Sequence, residues 1–368
     1  MDVETGETQT EIAREEVLHL SISTAAFWEG TAVGEALEKN CEKLEEWSEG
    51  TIDICIYDGG VMGSDSELIP GVQQGTLSIV NSVSAAQVSV VPEAALLSIP
   101  CIFDSYEEYN QLLQGEFFDT LQTYYNKAGL QLLCCFGNEY RNLTTNRPVY
   151  DVEDLKGMKI RTLDNPFQIA FWKSFGMEAS YYRYNDLYAA LQQGMYDAQE
   201  NAVSAILGGR FYETQKYMIR TQHVVIDNVF IMNKKQYDAL SEDHKELLKR
   251  FFDAVTEDVL QVTEEKDMIA EKDLTDRYGM EIIEPDQTFI AKLKQGCEPA
   301  IALLREHIGS EIVDQFLEAL RFFGKPLDLE LKRVERFCII MSTGHLRKNI
   351  RRSNCGLCNI RNIRISQK

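Results

Sequence analysis

The sequence predicts an α/β fold of two lobes, and three observations carry that reading. At 368 residues the chain exceeds the roughly 250 to 300 residues at which a single hydrophobic core stops growing. Strand-like and helix-like patterns alternate through the body, as in lobes built on largely parallel sheets. One helical stretch, Ser241 to Tyr278, spans roughly 57 Å at about 1.5 Å per residue, more than one small lobe is wide, and is expected to brace both.

The elements follow in order. His19 to Ser23 reads as a short strand, and Val33, Leu37, Cys41 and Leu44 mark one face of a helix that ends near Gly50. Ile52, Ile54 and Ile56 alternate as in a strand, followed by the loop DGGVMGSDSE. LSIVNSV reads as a buried strand, PEAALLSIP as a short helix opened by Pro92, and Tyr106 to Lys127 as one helix. Leu132 to Phe136 returns to strand, and LTTN, MKIRTL and EASYY are strands or strand ends before the run to Asn201. HVVIDNVFIMN predicts a strand of about ten residues, long enough to cross between lobes. After the long helix, MEIIEP is a strand and Thr288 to Phe323 two helices separated near Gly309.

Charge divides the chain. Residues 1–324 carry 26 basic and 55 acidic residues, a net of −29, whereas residues 325–368 carry 11 and 3, a net of +8. A body this acidic argues against nucleic acid or an anionic membrane as partner. It still permits an anionic ligand, because one or two arginines in a desolvated cleft dominate the local field. The tail from Lys325 lacks a sustained apolar period, and its single C-x-x-C, Cys355 and Cys358, does not offer the four ligands of a zinc site. It reads as an appended, disordered segment or a reading-frame accident. The six cysteines of the body, Cys134 and Cys135 among them, read as small hydrophobes and leave the redox compartment open.

No run of about 18 apolar residues predicts a transmembrane helix. The acidic, polar start MDVETGETQTEIAREE has no apolar signal core, so residues 1–16 read either as the start of a cytosolic chain or as the tether behind a removed leader, the latter fitting the composition better.

Motifs for nucleophilic, metal-dependent or nucleotide chemistry are missing: there is no G-x-S-x-G, H-E-x-x-H, G-x-x-x-x-G-K-[ST] or G-x-G-x-x-G. The five histidines are scattered and read as structural, so no catalytic residue, metal or cofactor is expected. The informative stretch runs from Arg141 to Asn201. Arg161 in MKIRTL shares a strand face with Lys159, and Asn165-Pro166 opens a helix directly after it. An arginine at the C-terminal end of a parallel strand points into the crevice where open α/β sheets bind ligands, and its planar fork suits a carboxylate. A surface or interlobe salt bridge is the rival reading, and it applies equally to Arg141. Tyr181, Tyr182, Tyr184 and Tyr188 cluster nearby, where core packing competes with ligand contact.

Taken together, R-x-x-T-T-N-x-P, D-L-K-G-M-K-I-R, N-P, D-L-Y-A-A-L-Q-Q-G and Q-E-N, in this order and spacing, resemble the DctP-type solute-binding proteins of tripartite ATP-independent periplasmic (TRAP) transporters. The likeness extends over roughly residues 17 to 324. It implies a periplasmic-binding-protein-like fold with hinge strands, a long helix spanning both lobes, and closure on one organic anion such as a sugar acid or dicarboxylate. Lobe I would comprise residues 17–140 and about 225–255, lobe II residues 141–224 and about 256–324. Arg161 matches the arginine that salt-bridges the ligand carboxylate, Asn201 the asparagine that orients it, and Arg141 a second pocket arginine. Tyr184 lies where the family sets an aromatic ring against the ligand. Asp65 and the loop from Thr24 through Trp28 to Glu29 lie where the first lobe supplies polar contacts, and Asn165 is included with them as the helix-opening residue.

The resemblance also implies membrane permease subunits as partners, a monomer, and an extracytoplasmic location, either free in the periplasm or as a tethered lipoprotein. Two departures stand out: Ala202 replaces the usual proline after Q-E-N, and Val83 stands near the place where the sialic-acid branch carries an acidic residue. A ligand-sensing receptor module and an α/β enzyme acting on an organic acid are the rival functions.

Overall fold

The computed structural model describes residues 17–323. The expectations for the tether at residues 1–16 and for the tail with Cys355 and Cys358 lie outside the described residues. Nine strands occur among them: β1 (Leu18–Ser23), β2 (Ile52–Tyr57), β3 (Ile79–Ser82), β4 (Leu130–Thr145), β5 (Lys159–Thr162), β6 (Glu178–Tyr181), β7 (Ala198–Asn201), β8 (Tyr217–Asn233) and β9 (Glu281–Ile283). They form a sheet in the order β2-β1-β3-β8-β4-β7-β5-β6, with β9 paired to β8. The helices are α1 (Ala32–Trp47), α2 (Asp65–Gln74), α3 (Tyr106–Leu113), α4 (Glu116–Lys127), α5 (Pro166–Ser174), α6 (Leu187–Gln192), α7 (Val203–Gly208), α8 (Lys234–Asp238), α9 (Glu242–Lys272), α10 (Gln287–Gln295), α11 (Glu298–Ile308) and α12 (Ser310–Phe323).

The architecture is the expected α/β one, and it is more continuous than the pattern suggested. Parallel groups stand at both sides, β2-β1-β3 and β7-β5-β6, and antiparallel β8 and β4 join them. Those two strands run 16 and 17 residues, well beyond the five and about ten legible in the apolar pattern. The pattern fails because β4 carries Asn138, Glu139, Arg141 and Asn142 in its middle, where polar side chains interrupt the alternation while the backbone ladder continues.

Other differences are local. The helix expected over Tyr106 to Lys127 breaks at Gly115, which caps α4. Three helices, not two, follow β9. The long helix holds: the Ser241 side chain accepts from His244 N–H at 3.1 Å, α9 runs 31 residues, and a π-helical turn over Asp273–Arg277 completes the stretch. Its buried stripe, Leu248, Phe251, Phe252, Val255 and Val259, packs on α1 and β4.

Strand β4 is bulged three times against β8, between Leu132 and Cys134, Gly137 and Glu139, and Arg141 and Leu143. A bulge adds a residue and shifts the side-chain alternation by one. At the second bulge it allows consecutive Asn138 and Glu139 to line the same cavity as Arg141. Gly137 is required there, because a Cβ would stand 2.5 Å from Val225 Cγ1 and 2.8 Å from Tyr109 Cδ1. The Asn110 side chain meets the local backbone, donating to Gly137 O at 2.7 Å and accepting from Gly137 N–H at 2.9 Å.

Candidate functional site

Two adjoining cavities share the lining residues Asp65, Leu163 and Tyr184. The larger, about 230 Å³, lies among the β1–α1 loop, bulged β4, β8, α7 and α9. The smaller, about 110 Å³, contains Arg161 together with Ser64, Ser66 and Ser89.

Strand β5 delivers Arg161 to a position where it is only 1 % exposed. Its Nε donates to Tyr182 O at 2.7 Å, and its guanidinium lies 6.0 Å from the Tyr184 ring centroid. No carboxylate forms an ion pair with it among the described residues, and Nη1 is buried without a hydrogen-bond partner. Burial, aided by repulsion from Arg141, pushes its pKa down to about 10. The group remains a cation at neutral pH, with donor capacity that the fold does not use.

Arg141 differs although it is similarly buried. Its Nε is paired with Glu200 Oε2, and Nη2 reaches Glu200 Oε1 at 3.0 Å, Glu200 O at 2.5 Å and Asn201 Oδ1 at 3.0 Å. Burial raises the Glu200 carboxyl, but the attraction of Arg141 and the hydrogen bond of His223 outweigh it and hold the pKa at about 2. An ionised Glu200 can only accept, so His223 Nε2, 3.2 Å away, carries a proton. Burial lowers the His223 pKa, so the ring is neutral and Nδ1 accepts from the Thr221 hydroxyl at 2.8 Å. Thr221 Oγ1 in turn accepts from Leu143 N–H at 3.2 Å. Arg141 is therefore neutralised internally, and Arg161 is not.

The other expected residues divide. Thr24, Trp28, Glu29, Asp65, Arg141, Tyr184 and Asn201 line the larger cavity, and Arg161 the smaller. Asn165 lines neither. Its Oδ1 accepts from Phe167 and Gln168 N–H at 3.0 and 3.1 Å, capping α5, and its Nδ2 donates to Ala85 O at 3.2 Å. Glu29 is exposed at the rim, whereas Trp28 is buried against Phe230. Val83, and Ala202 in place of the usual proline, also line the larger cavity.

An amide ladder, of which Thr24 alone belongs to the expected set, also lines the site. Thr24 Oγ1 donates to Asn81 Oδ1 at 3.4 Å, Asn81 Nδ2 to Asn228 Oδ1 at 3.4 Å, Asn228 Nδ2 to Asn138 Oδ1 at 2.9 Å, and Asn138 Nδ2 to Thr263 Oγ1 at 3.4 Å. It crosses from β1 to α9 through β3, β8 and β4, and all five members line the larger cavity. Its signal in the sequence was an asparagine within each otherwise apolar strand, in IVNS, FGNEY and IDNVF.

At the rim, Phe27 and Tyr184 approach ring to ring at 6.4 Å, and Glu67 accepts from Arg183 Nη2 at 3.2 Å. Gly60, with φ +73°, comes so near Asn185 that a Cβ would lie 2.2 Å from Asn185 Nδ2.

Asp65 opens α2 beside Arg161, and burial pushes its carboxyl up to about 6 against the pull of that arginine. Ionised Asp65 competes with an incoming anion for Arg161, and protonated Asp65 does not. Because the site's pKa is raised, the neutral form dominates below about pH 6. Affinity for an anion is therefore expected to rise as pH falls from about 7 to about 5. Calorimetry across that range checks this, and Asp65→Asn should flatten the dependence.

A profile for bacterial extracellular solute-binding proteins, family 7 (DctP), matches residues 23–306. A solute-binding protein of Verminephrobacter eiseniae (strain EF01-2) is 31% identical over 229 residues, covering 62% of this chain and 68% of its own. The 2,3-diketo-L-gulonate-binding periplasmic protein of Escherichia coli (strain K12) is 29% identical over 214 residues, covering 58% and 65%. The crystal structure of a TRAP periplasmic solute-binding protein from Polaromonas sp. JS666, bound to D-erythronate, superposes with a TM-score of 0.76 at 25% identity, covering 82% of this chain and 98% of that one.

Proposed function

Because this chain belongs to the bacterial extracellular solute-binding proteins of family 7, the DctP family, we propose that it captures a small organic carboxylate between two lobes and delivers it to a membrane permease. The family binds and does not catalyse, and it works outside the cytoplasm. Among the described residues no helix is long and apolar enough to cross a membrane; the permease of this reading is a set of separate membrane subunits, and the protein acts free in the periplasm or as a tethered lipoprotein. The lobes are residues 17–140 with about 225–255, and residues 141–224 with about 256–324, and β4 and β8 serve as the hinge strands.

Arg161 is the observation that carries the proposal. A buried guanidinium without a carboxylate partner and with a buried unpartnered Nη1 is costly in an empty site, and a ligand carboxylate supplies the compensating charge and the acceptor together. Tyr184 and Asp65 border both cavities, and Asn201, Thr24, Trp28 and Glu29 line the larger one that adjoins Arg161. Relatives named for 2,3-diketo-L-gulonate and D-erythronate support a hydroxylated acid as one ligand class, with a dicarboxylate as the other.

A thermal-shift panel of aldonates, uronates and C4–C6 diacids tests this, with matched neutral polyols as controls. A cognate acid at 100 times its dissociation constant stabilises by about 2.7 kcal/mol, a shift of several degrees, and the polyols should give none. A response to polyols equal to that of the acids would refute anion capture.

A further inference from the structure

Glu139 of β4 and Asp267 of α9 both line the larger cavity, and their carboxyl groups are hydrogen-bonded to each other. Two carboxyls in contact hold one proton between them, since a second ionisation would set like charges together. Burial, reinforced by the charge of Glu139 and then Glu271, pushes Asp267 up to about 9, so Asp267 supplies the shared proton. Ser204 donates to Glu139 from its hydroxyl and its backbone N–H, yet Glu139 Oε1 is buried without a hydrogen-bond partner.

The nearby cations are already engaged. Lys266 pairs with Glu35 and donates to Gly30 O at 3.3 Å, Arg141 is held by Glu200, and Arg220 reaches Glu271 at 2.6 Å and Glu284 at 2.7 Å. Asp227, also on the wall, accepts from Tyr109 Oη at 2.6 Å and Ser84 N–H at 2.9 Å. Among the described residues, the Arg161 guanidinium and the Glu139–Asp267 pair are thus two features of the joined cavities without an ion-pair partner. A ligand that is a simple anion balances only the first and adds a negative charge to a space already bordered by Asp65, Glu139 and Asp227.

We propose that the Glu139–Asp267 pair is a subsite for a ligand ammonium group, so that the captured solute is an amino-bearing carboxylic acid with no net charge. The inference rests on the anion-capture reading, because Arg161 holds the carboxylate of the same molecule. An ammonium brings three N–H donors, which suit Glu139 Oε1 and the other acceptor oxygens of the pair. The balance is simple: R–NH3⁺ enters, the shared proton stays between Glu139 and Asp267, and the single negative charge of the pair faces the single positive charge of the cation. A hydroxyl offers one donor and leaves the pair's charge uncompensated. A second carboxylate meets carboxyls and must bring its own proton.

The test uses the full chain and calorimetry with three matched series of four to seven carbons: ω-amino acids from 4-aminobutanoate, ω-hydroxy acids from 4-hydroxybutanoate, and diacids from succinate. The best amino acid is expected to bind at least roughly tenfold tighter than its hydroxy and diacid counterparts. It should bind without releasing a proton, so that its binding enthalpy is the same in phosphate and Tris buffers. Glu139→Gln combined with Asp267→Asn, which together remove the pair's charge, should lower the affinity of the amino acid at least roughly tenfold more than that of the hydroxy acid. A diacid or hydroxy acid that binds tightest, and loses its affinity in Arg161→Met, overturns the ammonium subsite and leaves anion capture standing. Binding indifferent to Arg161→Met, or no binding by any series, overturns both. Should the double variant fail to fold, the wild-type ranking decides alone.

Discussion

Arg161→Met protein is expected to melt at a higher temperature than the wild type without ligand, and to show no ligand-dependent shift. The two effects share one cause. A guanidinium that is 1 % exposed and lacks an anionic partner bears its desolvation cost in the ligand-free protein. Replacing a buried ion with an apolar side chain of similar size is neutral or stabilising by about 1–4 kcal/mol, and methionine avoids the cavity that alanine would leave. The same change removes the charge that receives the carboxylate, at a cost of about 3 kcal/mol or more, roughly a hundredfold or greater loss of affinity. Ligand-free melting and titration calorimetry read the two effects separately. A variant that melts lower and binds as before would show that Arg161 is a structural residue.

Glu200→Gln should do the opposite to stability. It leaves Arg141 buried opposite a neutral amide and puts a donor in place of one of the two oxygens that accept from Arg141 and His223. Breaking one side of a buried ion pair costs about 3–5 kcal/mol, enough to lower the denaturation midpoint clearly. The pH dependence follows from the sign of the shift. The Glu200 carboxyl titrates lower in the folded protein, at about 2, than its ordinary value of 4.5. Its contribution is therefore complete above about pH 4.5 and is lost as pH falls toward 2. Urea unfolding of the two proteins should differ by a constant margin from about pH 7 to about pH 5, and the curves should converge below that. A margin that does not shrink in acid would mean that Glu200 acts through packing and not through charge.

Much of this site was legible before its geometry. Arg161, Arg141 and Asn201 stand on strand residues, where period-two alternation and the order of the surrounding motifs point inward together. Asn165 shows the limit of that reasoning: an asparagine before a proline that opens a helix has a local use for its amide, and here the cap takes it. Asn138 and Glu139 were hidden for a different reason. A bulge changes which face a residue occupies, and it depends on pairing with β8, about ninety residues away, not on neighbours in the chain. The Glu139–Asp267 contact joins a strand and a helix 128 positions apart, so no spacing rule reaches it. The helix break at Gly115 was missed because the apolar period continues across it.

The rim contact between Arg183 and Glu67 has a bearing on timing. Both side chains are about half exposed, and an ion pair of that kind contributes at most about 1 kcal/mol and weakens in salt. A factor of about five is then the most that this latch can add to the lifetime of a loaded protein. In the proposed mode of capture the clock for unloading is set instead inside the cavity, by how slowly the solute leaves Arg161. Two solutes that fit the same space should therefore differ in residence time through their end groups, while ionic strength shortens either dwell time by no more than about fivefold.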